Sequence, residues 1–345
     1  MWQLATGVLW TSLGILLFRF LPDSFPKYLG RTLYWVGVPL QVLVLARHSN
    51  LSEALWFPSV VTLTVLLVGL GLALLSLQGL KIVSAFLLNH VKLRSNTPSV
   101  FESRLGRLLA VRLKIASLSK FFQRIWPPHR SGQGSFVLAS MLGNTGFVGL
   151  AIAPSFISQA YVGWVVIYGV ANNLLGSYGL GVVLASHFGE SQEKQNWLAK
   201  LRILICVPTL WAFGIGCLSR PIHFTQFVEL SLTNLLWAVI PSSFLLIGVQ
   251  LSKLKGGIKG LQAALLPSAI KMLALPCIAG IGLTFLGVSG DARLALVLMA
   301  GMPTAFANLI LAEEYDLDRQ LAAGCILIST LGLPIVIPLW VKLFS

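Results

Sequence analysis

Leu142-Gly143-Asn144-Thr145-Gly146-Phe147 and Met302-Pro303-Thr304-Ala305-Phe306-Ala307-Asn308 interrupt two apolar runs, each long enough to cross a bilayer. Both place small, polar or helix-breaking residues near the middle of the run. Irregular backbone survives at membrane depth only where it is buried in protein or lines a cavity, because lipid offers no hydrogen-bond partners. A pair of such interruptions at corresponding places in two halves of a chain points to a transporter's binding site. The two differ in kind. Pro303 breaks its helix by lacking an N–H, whereas Gly143 and Gly146 only permit a break.

The rest of the chain agrees with a membrane setting. It has 345 residues, is 56% hydrophobic and is 10% charged, where a soluble domain carries roughly 25% charged residues. A helical span needs about 20 apolar residues. Ten runs meet that need, near residues 2–20, 30–46, 55–77, 135–158, 161–186, 200–218, 231–251, 261–287, 291–312 and 319–342. The expected fold is an all-α polytopic membrane protein. No cleavable leader is expected, since Met1-Trp2-Gln3 lacks a basic start and the first apolar run is span-length. Cys206, Cys217, Cys277 and Cys325 stand singly in apolar spans, with no spacing for metal or disulfide chemistry. No cofactor is expected.

The net charge of +14 sets orientation and does not signal a nucleic acid partner. Ten spans make connections that alternate sides. One set of connections holds 20 of the 25 Lys and Arg, ten of them between Lys81 and Arg130. The opposite set holds Arg47, Arg220, Arg293 and Lys342. The positive-inside rule then places the basic loop in the cytoplasm and both termini outside, in a multi-pass protein of the plasma membrane.

The halves resemble each other in order. Trp35-Val36-Gly37-Val38-Pro39 in the second span matches Trp237-Ala238-Val239-Ile240-Pro241 in the seventh. Sliding the fourth span on the ninth brings Gly143 against Pro303. Five spans is an odd number, so the halves lie in opposite orientations, as two inverted five-helix repeats. Residues 1–77 carry the first three helices and 135–186 the fourth and fifth. Residues 187–199 form a cytoplasmic linker, and 200–345 hold the second repeat. The basic loop of 78–134 departs from the symmetry. Within it Leu108, Val111, Ile115, Leu118, Phe122 and Ile125 recur at intervals of three and four, a helical apolar stripe. Such a basic amphipathic helix lies in the interface against anionic lipid.

None of the eleven acidic residues falls in the middle of a span, so the paired intramembrane carboxylates of a cation/proton antiporter are missing. No nucleophile, base or phosphate-loop set lies at that depth either, and the chain is not expected to be an enzyme. What does lie there is neutral and polar: Asn144, Thr145, Asn172, Asn173, Thr304 and Asn308, with Lys271 the one candidate charge. Where a helix breaks, its second half presents free N–H groups and a positive dipole end. Two facing breaks therefore suit a small anion, with Asn144, Thr145, Gly146, Pro303, Thr304 and Asn308 as the candidate binding residues. Asn144 and Asn308 read equally well as ligand donors or as interhelical glue. Asn172, Asn173 and Lys271 form a second tier. Lys271 reads either as a fixed positive charge or as a side chain snorkelling to the cytoplasmic end.

Several motifs resemble the auxin efflux carrier family of PIN-like transporters. Met302-Pro303-Thr304-Ala305, followed by Ala312-Glu313-Glu314-Tyr315-Asp316-Leu317-Asp318, is similar to that family's ninth-helix core and its continuation. Gly143-Asn144-Thr145-Gly146-Phe147, with Gly149-Leu150, is similar to its fourth-helix motif. Pro241 with Leu246-Ile247-Gly248-Val249-Gln250-Leu251 fits the seventh helix, and Lys271 with Leu273, Leu275 and Pro276 fits the eighth. The resemblance implies ten helices, two inverted repeats and broken, crossing helices four and nine. It also implies a scaffold of helices one, two, six and seven, a mobile remainder, elevator-like transport of small organic anions, and a homodimer. Two departures stand out: Ala151 where many members have Pro, and a longer connection between spans three and four. A passive channel of the same fold, or a non-transporting sensor or assembly subunit working through the basic loop, are the rival readings.

Overall fold

The computed structural model describes residues 2–22, 24–48, 56–95, 127, 129–189, 208–222, 224–252 and 258–345. Among these the regular elements are helical, and one isolated antiparallel bridge joins Gly143 to Thr304. We label the helices α1 (Trp2–Leu17), α2 (Phe25–His48), α3 (Trp56–Ser95), α4a (Arg130–Met141), α4b (Thr145–Ser155), α5 (Gln159–Phe188) and α6 (Pro208–Leu218). Then follow α7 (Gln226–Ser252), α8 (258–285), α9a (Gly290–Ala300), α9b (Ala307–Glu314) and α10 (Arg319–Phe344).

Six of the described helices are long and apolar enough to cross a membrane, and three more apolar helices are shorter. For the fourth and ninth of the ten expected runs the difference has a physical reason in the two interruptions. Each splits a span-length apolar run into halves that are individually too short. The outward faces are strongly apolar, with Leu16, Phe227, Phe285 and Ile335 among the large exposed side chains. Apolar surface of that extent belongs in lipid. α3 runs on to Ser95, past its expected end near 77, because good helix formers continue and the next proline is Pro98. The apolar stripe of 108–125 and most of the 187–199 linker lie outside the described residues.

The centre of the molecule is α4a and α9a. From Ser135 to Met141 and from Leu294 to Ala300 every residue is buried. A helix buried on all sides is apolar or small-residued all round: α9a is rich in Ala and Leu, and α4a carries Gly, Ala and Ser among its larger apolar residues, with Ser140 Oγ bonded back to the Phe136 carbonyl. α10 packs beside them and starts at Asp318, whose Oδ1 accepts from Leu321 N at 2.9 Å. That cap is tied to α4a, since Ser135 Oγ donates to the Asp318 carbonyl at 2.8 Å.

α1, α2, α6 and α7 form a second group, in which α1 packs along α7 and α2 along α6. Two close crossings hold these pairs. A methyl group on Gly14 would collide with the Leu245 carbonyl and stand 3.0 Å from Gly248 Cα. One on Gly216 would stand 2.7 Å from the Leu43 carbonyl and 3.0 Å from Ala46 Cβ. The two crossings correspond residue by residue: Gly216, Leu245 and Gly248 lie 202 positions after Gly14, Leu43 and Ala46. The same shift carries Trp35 and Pro39 onto Trp237 and Pro241, and the start of α3 at Trp56 onto the start of α8 at Ile258.

Small residues at such crossings let membrane helices approach closely enough for backbone packing. Gly248→Val is therefore expected to push α1 off α7, at a cost of about 1–3 kcal/mol or more. Thermal unfolding in detergent should show a clear fall in midpoint. An unchanged midpoint would mean that this crossing is not tightly packed.

Candidate functional site

The site is built on the crossing of the two interruptions. α4a stops at Met141 because Leu142 turns to extended backbone, and the chain re-enters a helix at Thr145. Asn144 caps the new helix, its Oδ1 accepting from Phe147 N at 3.3 Å. Opposite it, Met302–Ala305 lies outside regular helix between α9a and α9b. The segments pair reciprocally: Asn144 N donates to the Pro303 carbonyl at 2.7 Å, and Ala305 N to the Leu142 carbonyl at 2.9 Å. The strand-like exchange satisfies groups that the breaks release. It centres on Gly143 and Thr304, one residue along from the Gly143–Pro303 match that the sequence gives.

Each interruption is pinned by the helix that follows it. Asn172 of α5 donates to both the Gly143 carbonyl and Thr145 Oγ1, each at 3.0 Å. Ser329 of α10 accepts from Thr304 N at 3.0 Å, and Thr304 Oγ1 donates to the Ala139 carbonyl at 3.1 Å. Asn172 and Ser329 each lie ten residues after Val162 and Arg319, where the regular α-helices begin. Lys271 approaches the crossing from α8. It is 2% exposed and its Nζ donates to the Ala300 carbonyl at 2.5 Å, at the C-terminal end of α9a, where a cation suits the helix dipole. Its Nζ would lie 3.0 Å from a Cβ placed on Gly143, so the ammonium stands directly behind that glycine.

On the other side of the crossing lies a cavity of about 160 Å³, well beyond the roughly 10–15 Å³ that one water requires. The starts of both half-helices face it. The backbone N–H groups of Gly146, Phe306 and Ala307 have no partner among the described residues, and all three residues line the wall. Asn144 lines it too, and with Oδ1 engaged by Phe147 it keeps both side-chain N–H donors for a ligand. The remaining wall is largely apolar and aromatic, from Val38, Phe147, Phe306, Ile310 and Leu311, with Asn173, Ser177, Tyr178 and Thr209 as further polar contributors.

The candidate residues thus separate into two sets. Asn144, Thr145 and Gly146, with Gly143 and Asn173, line the cavity. Pro303, Thr304, Asn172 and Lys271 do not; they build and brace the crossing behind it. Asn308 is 1% exposed, lies off the cavity wall, and neither its Oδ1 nor its Nδ2 has a partner among the described residues. Sequence reasoning passed over the Phe306 and Ala307 amides, Ser177, Tyr178 and Thr209. It also passed over Glu314, which stands just beyond the ninth apolar run, yet α9b continues to it and the cavity reaches it. The spacing of Ala307, Ile310, Leu311 and Glu314 at threes and fours was the available signal.

A membrane-embedded cavity at the meeting of two broken helices is the arrangement of a transporter site. Residues 108–341 match the family described as "Membrane transport protein", and the chain belongs to that family. It is 26% identical over 214 residues to an uncharacterized transporter of Methanocaldococcus jannaschii, covering 60% of this chain and 67% of the archaeal protein. It is 28% identical over 231 residues to an uncharacterized transporter of Methanothermobacter thermautotrophicus, covering 65% and 74% respectively. The PIN-like resemblance is borne out at this level: the chain is a membrane protein of a transporter family.

Proposed function

We propose that this chain is a secondary transporter of a small organic anion, which binds where the N-termini of α4b and α9b converge. The observation that carries the reading is the set of unpartnered N–H groups of Gly146, Phe306 and Ala307 on one cavity wall. Free amides at a helix start, with the positive end of its dipole, favour a carboxylate. The Asn144 donors add to them, and the Lys271 charge behind Gly143 supplies a long-range attraction that costs the cavity no space.

The fold reading is ten helices in two inverted repeats, supported by the constant 202-residue shift between the two glycine crossings and by the reciprocal bonds at Gly143 and Thr304. An elevator-like movement fits the grouping of contacts. α1, α2, α6 and α7 pack among themselves, and the remaining helices join them mainly through α4b and α5 against α2 and α7. With the basic connections in the cytoplasm of a plasma-membrane protein, the mouth beside Glu314 faces inward and the direction is export. An inside-negative potential then favours anion exit by about 2.3 kcal/mol per charge per 100 mV.

The test is efflux from proteoliposomes loaded with a panel of small carboxylates at alkaline pH, against protein-free liposomes. Efflux should saturate with substrate and quicken as an imposed inside-negative potential rises. Efflux that needs a proton or sodium gradient and ignores the potential would contradict the reading.

A further inference from the structure

The cavity face of α9b is a short ruler. Ala307, Ile310, Leu311 and Glu314 all line the cavity, following the three-and-four spacing of one helix face. At its start is the unpartnered Ala307 N–H; at its end is the exposed carboxylate of Glu314. Seven steps along a helix cover about 10 Å, and the glutamate side chain tilts back toward the helix start. The wall between these ends is apolar. The salt bridges among the described residues do not include Glu314. A ligand whose carboxylate occupies the helix N-termini therefore directs its far end at a negative group.

We propose that Glu314 determines the charge specificity of this cavity: it rejects carboxylates carrying a second negative group at the far end, and so restricts the site to monoanions. The proposal rests on the anion reading above and adds to it the end of the substrate that the half-helices do not touch. Two like charges a few ångströms apart at a partly hydrated mouth repel enough to lower affinity about tenfold or more. A cationic far end gains by the same mechanism.

The experiment measures binding to the purified full chain in detergent by calorimetry, using three acids with six-carbon chains: hexanoate, adipate and 6-aminohexanoate. Wild type is expected to bind adipate at least about tenfold more weakly than hexanoate, and 6-aminohexanoate at least as well as hexanoate. Glu314→Gln should bring the three affinities within a few-fold of one another. Glu314→Lys, the second variant, should invert the order in favour of adipate; both sit at an exposed position that folding tolerates. Equal wild-type affinity for hexanoate and adipate, or a hexanoate-to-adipate ratio unmoved by either variant, overturns the assignment while leaving the anion site standing. Failure of wild type to bind any of the three overturns the anion site itself and this assignment with it.

Discussion

Lys271→Met should leave the protein folded and weaken its binding of hexanoate by roughly tenfold to a hundredfold. The Lys271 ammonium is 2% exposed and lies behind Gly143, whose other side faces the cavity. At an effective dielectric of about 20, a positive charge behind Gly143 attracts a carboxylate on the cavity side by on the order of 2 kcal/mol. That is roughly thirtyfold in affinity, since about 1.4 kcal/mol is tenfold. Methionine matches the length of the lysine stem without its charge. A charged lysine at mid-membrane costs about 2.5–3.5 kcal/mol on insertion scales, so removing it offsets the lost bond to the Ala300 carbonyl. The unfolding midpoint is expected to hold or rise while affinity falls. Calorimetric affinity equal to wild type would reduce Lys271 to a cap on α9a. The snorkelling alternative is ruled out by the structure, in which the side chain turns inward to the crossing.

Gly143→Ala is the second large effect. Gly143 is not among the residues with positive φ, so alanine fits its backbone and the cost is one of space. Its methyl group would stand 2.9 Å from Lys271 Cε and 3.0 Å from Nζ. Lys271 is 2% exposed and bonded to the Ala300 carbonyl, so its ammonium end must shift and strain that bond to admit the methyl group. Overpacking of this kind costs about 1–3 kcal/mol, and here it also displaces the exchange of bonds between Leu142, Asn144, Pro303 and Ala305. Shortening the opposing side chain should relieve the collision. In Gly143→Ala with Lys271→Ala, the loss of stability is expected to fall short of the sum of the single losses by about 1 kcal/mol or more. Strict additivity in chemical or thermal unfolding would show that the two residues do not meet.

Much of this site was legible in the chain because membrane helices rarely tolerate what the two interruptions contain. Pro303, Gly143 and Gly146 located both crossing segments, and their mid-run position implied buried irregular backbone. The exact register was not legible: a match of sequence motifs opposes Gly143 to Pro303, whereas hydrogen bonding opposes it to Thr304. Adjacent asparagines were also indistinguishable. Asn172 turns to the crossing and Asn173 to the cavity because the wide-turned helical stretch from Asn172 to Gly181 sets their directions. The donors of Phe306 and Ala307 carry no side-chain signature, since any residue other than proline supplies an N–H. Glu314 escaped notice for a different reason. It ends an apolar run and reads as a boundary residue until α9b is seen to carry it along the cavity wall.

The structure of the protein with hexanoate bound, determined by electron cryo-microscopy in a lipid nanodisc, tests the anion site most directly. The carboxylate is expected between the two half-helices, with its oxygens about 2.7–3.2 Å from the amide nitrogen of Gly146 and from that of Phe306 or Ala307. Its alkyl chain should then run along Ile310 toward Glu314. A carboxylate held elsewhere, with those amides still free of ligand, would contradict the site.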